Sequence, residues 1–296
     1  SGRTPISQVE QNYFIGSSVY NYGSIDQTNV VSNGNFTGPT TISSSTSGST
    51  IASDSTEVIE SLNPVNFSVG NYTGSVTVTS MGDTLGSGNF DDNTYLRNFE
   101  ITNDIYSLDG LGNHPAGYEA IGSLGSNSWS DAADGLVCGT YYPLRQEEIL
   151  NSVRAYITSS TVAQSEVILY ILDSLSFTSG LFSNSVFTSE LYTVTAQDVN
   201  NGYIDIPVAN NIGWDPINNT STWENITLGI GGYYAAIELY SGGNTYDIRI
   251  LDDNTVGQPA WSSAIWYPAP TSTFYSNGNA FAIRMNFGAT VGIKES

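Results

Sequence analysis

Seven segments of the chain alternate apolar and polar residues with period two, the spacing at which successive side chains of a strand point to opposite faces of a sheet. In the clearest, Tyr72, Gly74, Val76 and Val78 share one face, and Thr73, Ser75, Thr77 and Thr79 the other. A glycine-rich stretch at 82–89 leads to a second, where Tyr95, Phe99 and Ile101 align, so the pair predicts a hairpin. The alternation recurs at 149–158, 204–208, 226–230, 248–250 and 281–287. Residues 167–172 are apolar throughout, as expected of a strand covered on both faces. Residues 146–149 read either as strand or as one helical turn, and no segment predicts a helix of ordinary length.

The punctuation agrees with this reading. Asn200-Asn201-Gly202, Ser241-Gly242-Gly243-Asn244 and Ser276-Asn277-Gly278-Asn279 are turn sequences between alternating runs. The Ser/Thr/Gly-rich stretch at 33–53 carries interspersed Thr and Ile, which predicts short edge strands joined by loops. Alternation fades across 107–125 into Gly, Pro and Asn. The expected fold is therefore all-β, two tandem antiparallel β-sandwiches over 1–106 and 107–289. The second has the strand count and long loops of a jelly roll, and 290–296 is a linker.

With 296 residues and 39% apolar content, the chain has enough material for two cores. Seven basic against 28 acidic residues give a net charge of -21, which repels phosphate backbones and anionic lipid heads. Nucleic acid is not an expected partner, and with no apolar run near the roughly 20 residues of a span, membrane insertion is not expected either. Cys138 is the sole cysteine and reads as a small buried residue, so no internal disulfide forms.

The chain is poor in reactive side chains. Its one histidine, His114, sits in the turn-like Gly112-Asn113-His114-Pro115, and its one lysine is Lys294. No zinc-binding spacing exists, and the chain is expected not to be an enzyme. A glycoside hydrolase needs only two carboxyl groups about 5–10 Å apart, and Glu224 beside Trp223 with Glu238 on an alternating segment form the candidate pair for that alternative. No cofactor is required. Calcium is the candidate ion, because consecutive hard oxygens stand at strand ends in Asp91-Asp92-Asn93 and in Asp252-Asp253-Asn254; Asx turns are the other reading of both. Trp261, Trp266 and Tyr267 make a dense aromatic loop, read either as a sugar-stacking surface of a carbohydrate-binding module or as a cap on the core.

Three stretches resemble secreted Bacteroidetes proteins exported by the type IX secretion system. Tyr20-Asn21-Tyr22-Gly23, Thr28-Asn29-Val30-Val31, Asp91-Asp92-Asn93-Thr94 and Phe99-Glu100-Ile101-Thr102-Asn103-Asp104 are similar to an immunoglobulin-like module of such proteins. The run from Thr195 to Tyr203, with 233–240, resembles the β-sandwich that often follows, and Val291-Gly292-Ile293-Lys294-Glu295 resembles the junction before a C-terminal sorting domain. The resemblance implies an extracellular or cell-surface, non-catalytic structural or adhesive region. Its implied partners are other surface proteins or further copies of itself, glycans, and the type IX machinery through a sorting domain beyond 296. It also implies O-glycosylation at Ser55, Thr84 and Ser174, each preceded by Asp and followed by Thr or Leu.

Overall fold

The computed structural model describes residues 2–10, 12–82, 93–128, 134–215, 217, 220–268, 270 and 272–288. The fold is all-β, with strands paired antiparallel in several sheets. The α-helices among the described residues are two short ones, Ser174–Thr178 and Ala196–Asn201. Neither is long and apolar enough to cross a membrane.

The chain divides into two compact units. One comprises Val9–Thr102 with Asn113–Gly117, and the other Ser1–Gln8, Asn103–Gly112 and Tyr118–Ser296. A single cut after residue 106 does not describe this division, because the opening residues belong to the larger unit. Gln8 shows why: its side-chain oxygen accepts from the Arg145 amide at 2.7 Å, and its nitrogen donates to Glu148 Oε1 at 3.1 Å. Tyr106, the last residue before such a cut, is likewise paired with Met285 of the larger unit.

In the smaller unit Thr94–Thr102, Gly70–Thr79, Gln27–Thr37 and Ile42–Ser45 lie side by side in that order. The hairpin read from residues 72–101 is present, with Tyr72 opposite Phe99 and their rings stacked at 5.0 Å. Tyr72 is fully buried, so its hydroxyl needs partners; it donates to the Ser68 carbonyl and accepts from the Ser68 amide. Phe36, Ile42 and Ile101 complete this core. The serine-rich stretch forms the short strands Ile42–Ser45 and Ser49–Ile51, as its scattered β-branched residues predict. A separate pair, Gly16–Asn21 with Ser55–Glu60, packs a second small cluster of Val30, Ile51 and Ile59.

The larger unit is a two-layer sandwich. One layer runs Phe187–Thr188, Glu166–Asp173, Gly231–Tyr240, Leu136–Leu144, Ser263–Tyr267 and Thr273–Ser276, with Tyr192–Thr193 also on Glu166–Asp173. The other contains Tyr203–Pro207, Ser152–Tyr156, Ile283–Asn286 and Ile105–Tyr106. Leu136, Leu169 and Ile237 meet Val153, Ile204 and Met285 between them. Cys138 lies in this core, and burial, with the Asp252 charge adding, pushes its thiol pKa well up, so it is an inert packing residue.

The strand at 167–172 is covered on both faces. Val167, Leu169 and Ile171 enter the main core, while Leu172 and Tyr170 join an aromatic cluster on the sheet's outer side. Phe177, from the helix Ser174–Thr178, covers that cluster. Three sequence readings differ from the structure. The alternation at 149–158 is interrupted at Asn151, whose side chain donates to the Phe287 carbonyl at 2.8 Å, giving strands Glu148–Leu150 and Ser152–Tyr156. The helical-turn option for 146–149 is not taken. Asn200-Asn201-Gly202 ends a helix instead of joining strands: Thr195 and Asp198 form a capping box, and Gly202 terminates it at φ 75°.

Candidate functional site

The proposed calcium ligands occupy built positions. Asp252 and Asp253 are consecutive in Arg249–Asp253, so they face opposite sides of the strand, and both are buried. Asp252 accepts from the side-chain amides of Asn277 and Asn279, each at 3.1 Å. Burial raises its pKa, the two amides hold it down, and the neighbouring Asp253 charge raises it further; the net shift is upward. Asp253 accepts from the Gly110 amide at 2.7 Å and from the Thr255 amide at 3.0 Å. Asn254 is exposed and its amide donates to the Ala120 carbonyl. Among the described residues no group of three or more His, Cys, Asp or Glu side chains is gathered to hold a metal. Asp91 and Asp92 lie outside the described residues.

The expected aromatic loop is largely a strand, Ser263–Tyr267. Strand alternation separates its rings. Tyr267 is buried in the main core, whereas Trp266 lies half-buried on the outer side against Phe182, 5.9 Å between ring centroids. Trp261 precedes the strand at φ 71° and stacks on Phe274 at 4.8 Å with 48% of its surface exposed. The three residues therefore form no common platform.

Glu224 and Glu238 are not brought together. They lie on Thr220–Leu228 and Gly231–Tyr240, and the ladder of the second continues into that of the first, Leu144 facing Gly231 and Glu148 facing Leu228. Glu224 stands opposite Asn210 in one sheet, and Glu238 opposite Val137 and Ile168 in another. Glu238 accepts from the Tyr170 hydroxyl at 2.7 Å. His114 is half-buried in a bend. Of the glycosylation candidates, Ser174 is exposed at the start of its helix, Ser55 is half-buried at the start of Ser55–Glu60, and Thr84 lies outside the described residues.

A concave site not expected as such lies at one end of the smaller unit. It is a cavity of about 290 Å³ floored by Val30 and Ile51. Tyr20, on Gly16–Asn21, and Tyr22, just past its end, stand edge to face at 4.2 Å and border it; Tyr22 is 90% exposed. Asn21, between them, points inward and is buried. Its amide nitrogen donates to the carbonyls of Ile25, Ile51 and Ala52, and its oxygen accepts from the Gly23 amide, an Asx turn that fixes the bend. The Tyr20 hydroxyl donates to Asp54. Gln27, Thr79, Ser80 and Asn93 form the polar wall, with the Ser80 hydroxyl donating to Gln27 Oε1 at 2.8 Å. Two tyrosines flanking Asn and followed by Gly were the available sequence signal; nothing in their spacing reveals a gap behind them.

No protein-family model matches the chain, and no curated protein does. Matching solved structures include the cysteine protease and lectin-like domains of Cwp84, a surface-layer-associated protein of Clostridium difficile, at 11% identity and TM-score 0.34, over 88% of this chain and 58% of that one. The clostridial protease Cwp84 after propeptide cleavage matches at 11% identity and TM-score 0.32, over 87% of this chain and 64% of that one. The chain thus spans about three fifths of the length of these structures.

Proposed function

We propose that the chain is a non-catalytic, extracellular structural and recognition region that spaces or attaches a larger surface protein. The observation that carries this reading is the buried fastening around Asp109. This fully buried carboxylate accepts two hydrogen bonds from Arg284, at 2.5 and 3.0 Å, one from the Ser107 hydroxyl and one from the Leu111 amide. Arg284 also lies over the Tyr156 ring at 4.3 Å. With Tyr106 paired to Met285, the fastening stitches the segment at 103–112 to the strand Ile283–Asn286. Arg154 repeats the device, bonded to Asp205 across a strand pair and lying over Tyr203. Both ion pairs add side-chain ties to strands that backbone ladders already join. The resemblance to type IX cargo supports export to the cell surface, where attachment through surface proteins, self-association or glycans would follow.

Beads coated with the purified chain, tested against cells and immobilised surface polysaccharide, check this reading. Adhesion without release of reducing sugar is expected. Turnover of any polysaccharide, abolished by one point substitution, would overturn it.

A further inference from the structure

The cavity of the smaller unit has a chemistry that selects its ligand. Its described lining contains valine, isoleucine, tyrosine, glycine and the neutral polar residues Asn, Gln, Ser and Thr, and no Lys, Arg, His, Asp or Glu. Among the described lining residues a charged ligand finds no counter-ion, and the net charge of -21 disfavours an anion further. A purely apolar ligand would desolvate the Gln27 and Thr79 side of the wall without replacing its hydrogen bonds with water. The lining suits a molecule with one apolar face and many neutral hydroxyls. The size agrees, since about 290 Å³ lies at the small end of ligand pockets, which begin near ~300 Å³.

Tyr22 supplies the other half of the match. A tyrosine ring 90% exposed to water is not needed for the core, yet it is held in place by Tyr20, which Asp54 anchors in turn, and by the Asx turn of Asn21. Such a ring presents an electron-rich face to the weakly positive C–H groups on the flat side of a pyranose. We propose that this cavity binds a neutral pyranose unit of a glycan, with Tyr22 as the stacking surface and Gln27 and Thr79 as hydroxyl partners. The assignment deepens the recognition role proposed above and rests on it. Because the Asx turn of Asn21 fixes the backbone that carries the ring, little backbone ordering opposes binding.

The test is saturation-transfer NMR on the whole chain with methyl glucoside, methyl galactoside, methyl mannoside, cellobiose and lactose, and with glucuronic acid as the charged comparison. Transfer to ring protons of at least one neutral sugar is expected, weakened tenfold or more by Tyr22→Ala and retained by Tyr22→Phe. Tyr22→Ala should melt as the parent does, since the ring is exposed. No transfer to any neutral sugar, transfer unaffected by Tyr22→Ala, or preference for glucuronic acid would each overturn the assignment, and none of these would touch the adhesion result. Cleavage of a disaccharide with transfer still dependent on Tyr22 would keep the site and overturn the non-catalytic reading instead.

Discussion

Phe177 lies flat on Tyr234, ring centroids 4.1 Å apart and planes 18° from parallel, and fits there only because Gly139 leaves the sheet bare beneath it. A Cβ at residue 139 would come within 2.6 Å of the Phe177 ring. The outer side of the large sheet thereby becomes a second core. We expect Phe177→Ala to cost about 3–5 kcal/mol, as other large-to-small core substitutions do. Gly139→Ala should cost about 1–3 kcal/mol by overpacking. Urea melts followed by tryptophan fluorescence check both; a loss below 1 kcal/mol for Phe177→Ala would show that the helix carrying it does not seal the sheet.

That helix begins at Asp173, whose carboxylate accepts from the Ser176 amide at 2.9 Å and from the Ser176 hydroxyl at 2.7 Å. The backbone bond first, and the hydroxyl next, lower its pKa. A carboxylate whose folded pKa is depressed contributes stability that is present above the unfolded value, near 3.9, and lost as pH falls through the folded one. Asp173→Ala should therefore cost about 1 kcal/mol at neutral pH, as lost N-caps do. The gap between variant and parent should close as acid protonates the parent's carboxylate. A gap that does not change with pH would mean the cap contributes nothing through its charge.

The Asp109–Arg284 pair makes a different kind of prediction. Removing Arg284 takes away the hydrogen-bonded cation and leaves the buried carboxylate with only Arg3, 3.9 Å away, so Arg284→Met should cost about 3–5 kcal/mol. Replacing both partners, Arg284→Met with Asp109→Leu, should recover part of that loss, because the buried carboxylate that lost its hydrogen-bonded cation is gone. Chemical denaturation of the single and double variants measures the difference. A double variant less stable than Arg284→Met would show that the Ser107 and Leu111 bonds to Asp109 matter more than the ion pair.

The legible part of this molecule was the part that period two governs. Tyr72, Val76 and Phe99 declared their hairpin because one face of each strand meets a core and the other meets water. What alternation cannot show is which side of a covered strand meets which neighbour. Trp266 and Tyr267 are adjacent in sequence and end on opposite faces, so a pair read as one aromatic loop became two separate packing roles. The helix at Ala196–Asn201 was present in the Thr195–Asp198 capping pattern, but six residues are too few for a period of 3.6 to register. The sugar-sized cavity was invisible for a simpler reason: it is a gap between Val30, Ile51 and the Tyr20–Tyr22 segment, and a gap has no residues of its own.

Asp252 carries the last prediction, and its sign is opposite to that of Asp173. Burial dominates the rise in its pKa, which the amides of Asn277 and Asn279 only partly offset. A carboxyl more easily protonated in the folded state takes up a proton on folding, so its contribution to stability falls as pH rises from the unfolded value near 3.9 through the raised folded one. Asp252→Asn removes the titration, so the stability of the parent relative to the variant should increase as pH is lowered across that window and stay flat above it. Calcium supplies an independent reading of the same residue. To bind an ion, Asp252 would have to give up both amide donors, with Asp253 already engaged on the far side by Gly110 and Thr255. We therefore expect calcium to leave the Tm of the parent and of Asp252→Asn equally unchanged. A calcium-dependent rise in the parent that Asp252→Asn abolishes would show that these oxygens serve a metal and that the two asparagines hold the site in its absence.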